Sequence, residues 1–293
     1  MVWIIGIDLR PLSYGALQFG AWIAANAVAA EGARFIPVHV LEQDHLLAVL
    51  RYHHLDEVVA AARDEARRAL ERHGCSDWTR DLQIVQALRA EESLEAARAS
   101  AGAKAIMIGR AAGRGERRVV RLGRVARRLL RALPSPVVIV PPDLQVRDVG
   151  TGPIVALTSA GGDTVDAVHF AADVARSVGR KLALAYVSRD PAGAGLPFMP
   201  AASLERARID ELRDGERVLA AWVASEGLHP DSTTVLQGNV IEQAITFAEA
   251  QRSPLLVVGA RRRAGVGRAL VPSIGGELAA TTSVPVAVVP AGA

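Results

Sequence analysis

Two stretches of this 293-residue chain repeat at a nearly constant displacement, and that displacement restricts the fold more than any local motif does. Ile106-Met107-Ile108-Gly109 recurs as Leu256-Val257-Val258-Gly259, 150 residues on, and Ile4 to Asp8 recurs as Ile154 to Thr158 with the same shift. The run Pro136 to Pro141 recurs as Pro285 to Pro290, displaced by 149, so the first half has gained one residue between Gly109 and Pro136. The polar segment Leu144 to Gly152 separates the copies. We therefore expect a first domain over 1–147 and a second over 148–293.

Within each half, short apolar runs alternate with longer amphipathic ones, the pattern of strands and crossover helices in a parallel sheet. In the first half the strands are expected near Val2 to Asp8, Arg34 to Val40, Leu82 to Gln86, Ala105 to Gly109 and Val137 to Val140. Helices are expected near 12–31, 52–73, 91–101 and 118–132. The second half repeats the scheme, with strands near 153–158, 181–187, 233–237, 254–259 and 286–289. Continuous apolar strands such as Ile106 to Ile108 fit a sheet covered on both faces. The expected fold class is α/β, with two tandem doubly wound domains, each on a five-stranded parallel sheet.

Such sheets bind ligands beyond the carboxyl ends of their strands, where neighbouring crossovers leave to opposite faces. The residues at that place are Asp8 and Gly109 in one half and Thr158 and Gly259 in the other. A strand ending in aspartate, five strands alternating with helices, and a fourth strand entering a glycine-rich loop before a helix together resemble the universal stress protein family. The resemblance covers almost the whole chain, twice.

The resemblance implies a site for ATP or another adenine nucleotide in the first domain. Its phosphate motif is Gly, two residues, Gly, nine residues, Gly, then Ser or Thr. Glycines let the backbone approach phosphates, and a following helix N-terminus offers N–H groups. Gly109, Gly113 and Gly123 fit if the extra residue lies between the first two, and Arg124 replaces the Ser or Thr. Asp8 and Val40, the end of the second strand, complete the expected cofactor site. Arginine suits bidentate oxyanion contacts, so Arg124 is a candidate phosphate ligand.

The second half departs further. Gly259 and Ser273 remain, but Arg262, Pro272 and Thr158 stand at the second glycine, the third glycine and the aspartate. Proline has no N–H to donate. Each lost contact to a charged group is worth about 1.5–3 kcal/mol, so this half is expected to bind nucleotide weakly or not at all.

Other features narrow the function. Arg110 to Arg131 holds nine arginines, and on a helix beginning near Arg118 the residues Arg117, Arg121, Arg124, Arg128 and Arg131 share a face. That basic helix, 118–132, carries the alternative reading of a nucleotide-independent module docking an acidic protein. Nucleic acid is disfavoured because no aromatic platform accompanies the charge. Lys104 and Lys181 are the only lysines among 34 basic residues, and the formal net charge is +3, so overall charge selects no partner. Cys75 is the single cysteine, which rules out an intrachain disulfide and favours a structural thiol. His53 and His54 are adjacent and cannot form an i, i+4 metal pair, and no metal of the protein's own is expected. His39 reads as a packed histidine near the crevice rather than a catalytic one.

No nucleophile elbow, Walker loop or His-Glu-x-x-His helix occurs. The resemblance implies a non-catalytic stress-response regulator, and slow ATP hydrolysis ranks last because no positioned carboxylate or histidine near the phosphate loop is evident. No apolar run is long enough to span a bilayer, and MVWIIGIDLR lacks the features of a signal peptide, so a cytoplasmic location is expected. In the family the fifth strand pairs with its counterpart in another domain. The resemblance thus implies an intramolecular pseudo-dimer through Val137 to Val140 and Val286 to Val289, and leaves a further homodimer open.

Overall fold

A computed structural model describes residues 1–9, 14–28, 32–110, 122–188, 190, 199–260 and 273–292. The chain forms two compact units. One comprises Met1–Val149 with Ser177–Gly179 and Ala279–Pro285, and the other Gly150–Arg176, Arg180–Leu278 and Val286–Ala293.

In the first unit, strands β1 (Val2–Gly6), β2 (Arg34–Glu42), β3 (Gln83–Ala87), β4 (Ala105–Gly109) and β5 (Val137–Val140) pair in parallel, in the order β3-β2-β1-β4-β5. The central register sets Ile4 beside Ile36 on one side and Ile106 on the other. Helices α1 (Gly15–Asn26), α2 (Gln43–Val49), α3 (Leu55–Arg72), α4 (Ala90–Ala101) and α5 (Arg124–Ala132) follow or connect the strands.

The two faces of β1 show why its sequence is apolar throughout. Ile5 reaches Gly20 of α1, whereas the next residue, Gly6, lies against Leu94 of α4. Successive strand residues point to opposite faces, so α1 and α4 cover opposite sides of the sheet. Trp3, Ile4 and Ile5 are consequently fully buried, as are Ile106 and Met107 in β4. Each such side chain contributes about 1.5–3 kcal/mol of burial free energy, which overrides any helical preference in these short runs. On the α1 side, Trp3 stacks on Phe35 at 6.4 Å and Phe35 meets the edge of Trp78 at 4.9 Å.

The second unit repeats this plan. Strands β6 (Ile154–Thr158), β7 (Leu182–Ser188), β8 (Ser232–Gln237), β9 (Leu256–Ala260) and β10 (Val286–Pro290) pair in parallel in the order β10-β9-β6-β7-β8. Its helices are α6 (Val165–Ser177), α7 (Ala201–Ser225), α8 (Val240–Ala250) and α9 (Ile274–Thr281).

Three sequence expectations need correction. The helix expected over 118–132 does not run through Gly123, which is extended (φ −61°, ψ 168°) and caps a helix that starts at Arg124. The arginine spacing stays helical across that glycine, but the backbone does not. Residues Arg114, Arg117, Arg118 and Arg121 lie outside the described residues. The first strand ends at Gly6, so Asp8 follows it rather than belonging to it. The second strand runs to Glu42 and leads directly into α2, which the sequence reading did not anticipate.

Gly15 begins α1 where a Cβ would lie 1.8 Å from the Pro141 carbonyl oxygen. Alanine improves helix propensity by about 1 kcal/mol at most, and less at a first helical position. A clash with backbone outweighs that gain, so Gly15→Ala should destabilise the protein by about 2 kcal/mol, read as a lower urea midpoint.

Candidate functional site

The strand order leaves a gap beyond the carboxyl ends of β1, β2 and β4, because the crossover from β1 goes to one face and the crossover into β4 comes from the other. A cavity of ≈ 450 Å³ occupies it. It brings together Asp8 after β1, Val40 in β2, Gly109 at the end of β4, and Gly123 and Arg124 at the start of α5. Gly113, the remaining expected residue, lies outside the described residues.

Most of the lining is aliphatic, including Val38, Leu46 of α2, Leu94 and Ile108. Such a surface suits a flat apolar group, with a few polar groups to orient it. Gly6 belongs to the lining, and a Cβ there would fall 2.8 Å from Ile108 Cγ2. His39 also lines the cavity, and its Nδ1 is 2.8 Å from the Ile7 carbonyl oxygen. The carbonyl accepts, so that ring nitrogen carries the proton and fixes the imidazole against β1. The packed role expected for His39 and a place at the crevice therefore coexist.

Sequence reasoning missed Glu42. It lies two residues beyond Val40, on the same face of β2, and a period-two count from Val40 would have pointed to it. Its side chain is 11% exposed and forms an ion pair with Arg124. Arg128, one turn further along α5, approaches Glu42 at 3.9 Å and Glu91 of α4 at 3.5 Å. Cations in the first turn of a helix oppose its dipole, and the two carboxylates offset that cost. Arg124 and Arg128 therefore belong to an ion cluster with Glu42 and Glu91, although Arg124 is exposed, as are Arg127 and Arg131. Arg110, counted in the same basic segment, is buried and donates to the carbonyls of Ala279 and Thr282, each at 3.0 Å.

Among the described lining residues there is no hydroxyl, thiol or amine side chain, and the ionisable groups are Asp8, His39, Glu42 and Arg124. That set can orient a ligand by hydrogen bonds and charge but offers no covalent nucleophile of the usual kinds except carboxylate and imidazole. Among the described residues no group of three His, Cys, Asp or Glu side chains is placed to hold a metal ion, and no helix is long and apolar enough to cross a membrane.

The matching place in the second unit is built differently. Thr158 Oγ1 lies 2.9 Å from Thr164 Oγ1 and accepts from the Ala160 N–H, also at 2.9 Å. Thr164 Oγ1 in turn donates to the Gly161 carbonyl at 2.8 Å. The turn so formed packs on β9, where a Cβ added to Gly259 would come within 2.9 Å of the Asp163 carbonyl oxygen. Ser273 Oγ accepts from the Gly276 N–H at 3.0 Å, a helix cap for α9. The hydroxyls retained or gained here thus serve local structure. Arg262 and Pro272 lie outside the described residues.

Cys75 is fully buried just after the end of α3, and burial pushes its thiol up to about 12. The reactive thiolate is therefore scarce at neutral pH, in keeping with a structural thiol. Labelling of Cys75 by a soluble disulfide reagent at pH 7.5 should run at least about a hundredfold slower in native protein than in denaturant.

Comparison with known proteins accords with this architecture. The Universal stress protein family pattern matches residues 4–141 and, a second time, 152–290. A universal stress protein from Archaeoglobus fulgidus DSM 4304 superposes with TM-score 0.68 at 18% identity, over 99% of this chain and 98% of that one. A functionally unknown protein from Pseudomonas aeruginosa PAO1 superposes with TM-score 0.65 at 16% identity, over 99% and 92%. At those identities the likeness speaks for the fold alone. No curated protein matches the sequence.

Proposed function

Since the chain belongs to the universal stress protein family, matched twice along its length, we propose that it is a stress-response regulator that acts by binding, not turnover, with an adenine nucleotide held in its first domain. The observation that carries this reading is the convergence of Asp8, Val40, Gly109, Gly123 and Arg124 on one largely aliphatic cavity. In this reading the aliphatic walls enclose the base and Asp8 accepts from ribose hydroxyls. Gly109 and Gly123 allow the phosphates close to backbone at the start of α5. The second domain is a structural partner, because its hydroxyls at Thr158 and Thr164 already satisfy one another.

The rival reading, docking of an acidic protein on the basic helix, loses ground because Arg124 and Arg128 are engaged by Glu42 and Glu91. Slow hydrolysis ranks last, because Glu42, one of the two carboxylates of the described lining, is paired with Arg124.

Protein purified without added nucleotide and then denatured should release an adenine nucleotide or nucleoside identifiable by mass spectrometry. Titration of the emptied protein with ATP should give saturable binding that Asp8→Ala weakens at least about tenfold, equivalent to about 1.4 kcal/mol. A folded protein that is empty as isolated and ignores millimolar ATP would overturn the proposal.

A further inference from the structure

The first-domain cavity holds a carboxylate where a polyphosphate needs a cation. Among its described lining residues, Asp8 and Glu42 are acidic and Arg124 is the single guanidinium. That guanidinium is bonded to Glu42. The burial of the partners is unequal: the Glu42 and Glu91 side chains are each 11% exposed, against 46% for Arg124 and 38% for Arg128. The carboxylates therefore sit inward, and the arginines of α5 reach over them from the solvent side. A carboxylate so withdrawn from water depends on its cations, because removing a partner leaves a poorly hydrated charge.

We propose that Glu42 is a built-in competitor for the phosphate groups of any nucleotide entering this cavity. This rests on the nucleotide reading of the site and specifies its ligand preference. A phosphate arriving at Gly123 meets an Arg124 that is already neutralised, and it faces the Glu42 carboxylate as well. It must either displace the ion pair, leaving a largely buried carboxylate with only the longer contact to Arg128 at 3.9 Å among its described ion pairs, or remain in solvent. In both cases the phosphates add little net affinity, since Arg124, the guanidinium of the described lining, is already shared with a carboxylate. The wild-type site therefore recognises the nucleoside portion of its ligand and distinguishes poorly between adenosine and ATP.

Calorimetric titration of the full chain with adenosine and with ATP, in wild type, Glu42→Gln, Arg124→Ala and the double variant, tests this. Thermal unfolding confirms that each variant is folded. Wild type should bind the two compounds with affinities within about threefold. Glu42→Gln should tighten ATP at least about tenfold while moving adenosine less than about threefold, and adding Arg124→Ala should abolish that gain. If Glu42→Gln does not fold, Arg124→Ala alone still decides, because it should change the ratio of ATP to adenosine affinity by less than about threefold. The inference is overturned if wild type prefers ATP by more than about tenfold. It also falls if Glu42→Gln leaves ATP affinity unchanged or alters both ligands equally, or if Arg124→Ala selectively weakens ATP tenfold or more. Failure of every folded protein to bind either compound would instead overturn the nucleotide reading, and this inference with it.

Discussion

The order β3-β2-β1-β4-β5 forces the helices on either side of β1 to opposite faces of the sheet, and the strand ends between them open on a cavity that α2 and the start of α5 help to line. The alternating contacts of Ile5 with Gly20 and of Gly6 with Leu94 record that divergence at the level of single side chains. Everything proposed about ligand binding depends on it, because Asp8, Val40 and Gly109 are far apart in sequence and meet only where their strands stop. The apolar character of β1 and β4 therefore does two things at once: it supplies the core, and it helps set three strand ends at one opening.

The two units start from the same plan and treat that opening differently. In the first, the polar residues at the opening include Asp8, Glu42 and Arg124. In the second, Thr158 and Thr164 bond to each other and to backbone, and the turn they stabilise packs on Gly259. A hydroxyl can donate and accept within a few ångströms of its own backbone, whereas a carboxylate in such a place needs a cation or donors supplied from elsewhere. Thr158 thus bonds within its own turn, whereas Asp8, the matching residue of the first unit, lines the cavity.

Much of this was legible in the sequence, for physical reasons that also explain the gaps. The strands Ala105–Gly109 and Val137–Val140 stand where the apolar runs put them, because buried parallel strands carry an unbroken signal. The seven-residue α2 was invisible, being too short to display a helical repeat and lying where a loop was expected. The overlong helix around Gly123 arose because side-chain spacing reports on charge pattern, not on the φ and ψ of one glycine. Glu42 stands outside the glycine-loop pattern and is signalled only by the alternation along β2. Its partnership with Arg124 joins positions 82 residues apart, which no local pattern contains.

The departure of Thr158 from Asp8 has a further consequence for how such a chain can change over generations. In an assembly of identical subunits, one codon change alters every crevice together, so loss of a ligand site is all or none. Here each copy is written separately in one gene, and a substitution in the second leaves the first intact. A substitution at one crevice can thereby alter that crevice while the other, and the packing of both cores, stays as it was.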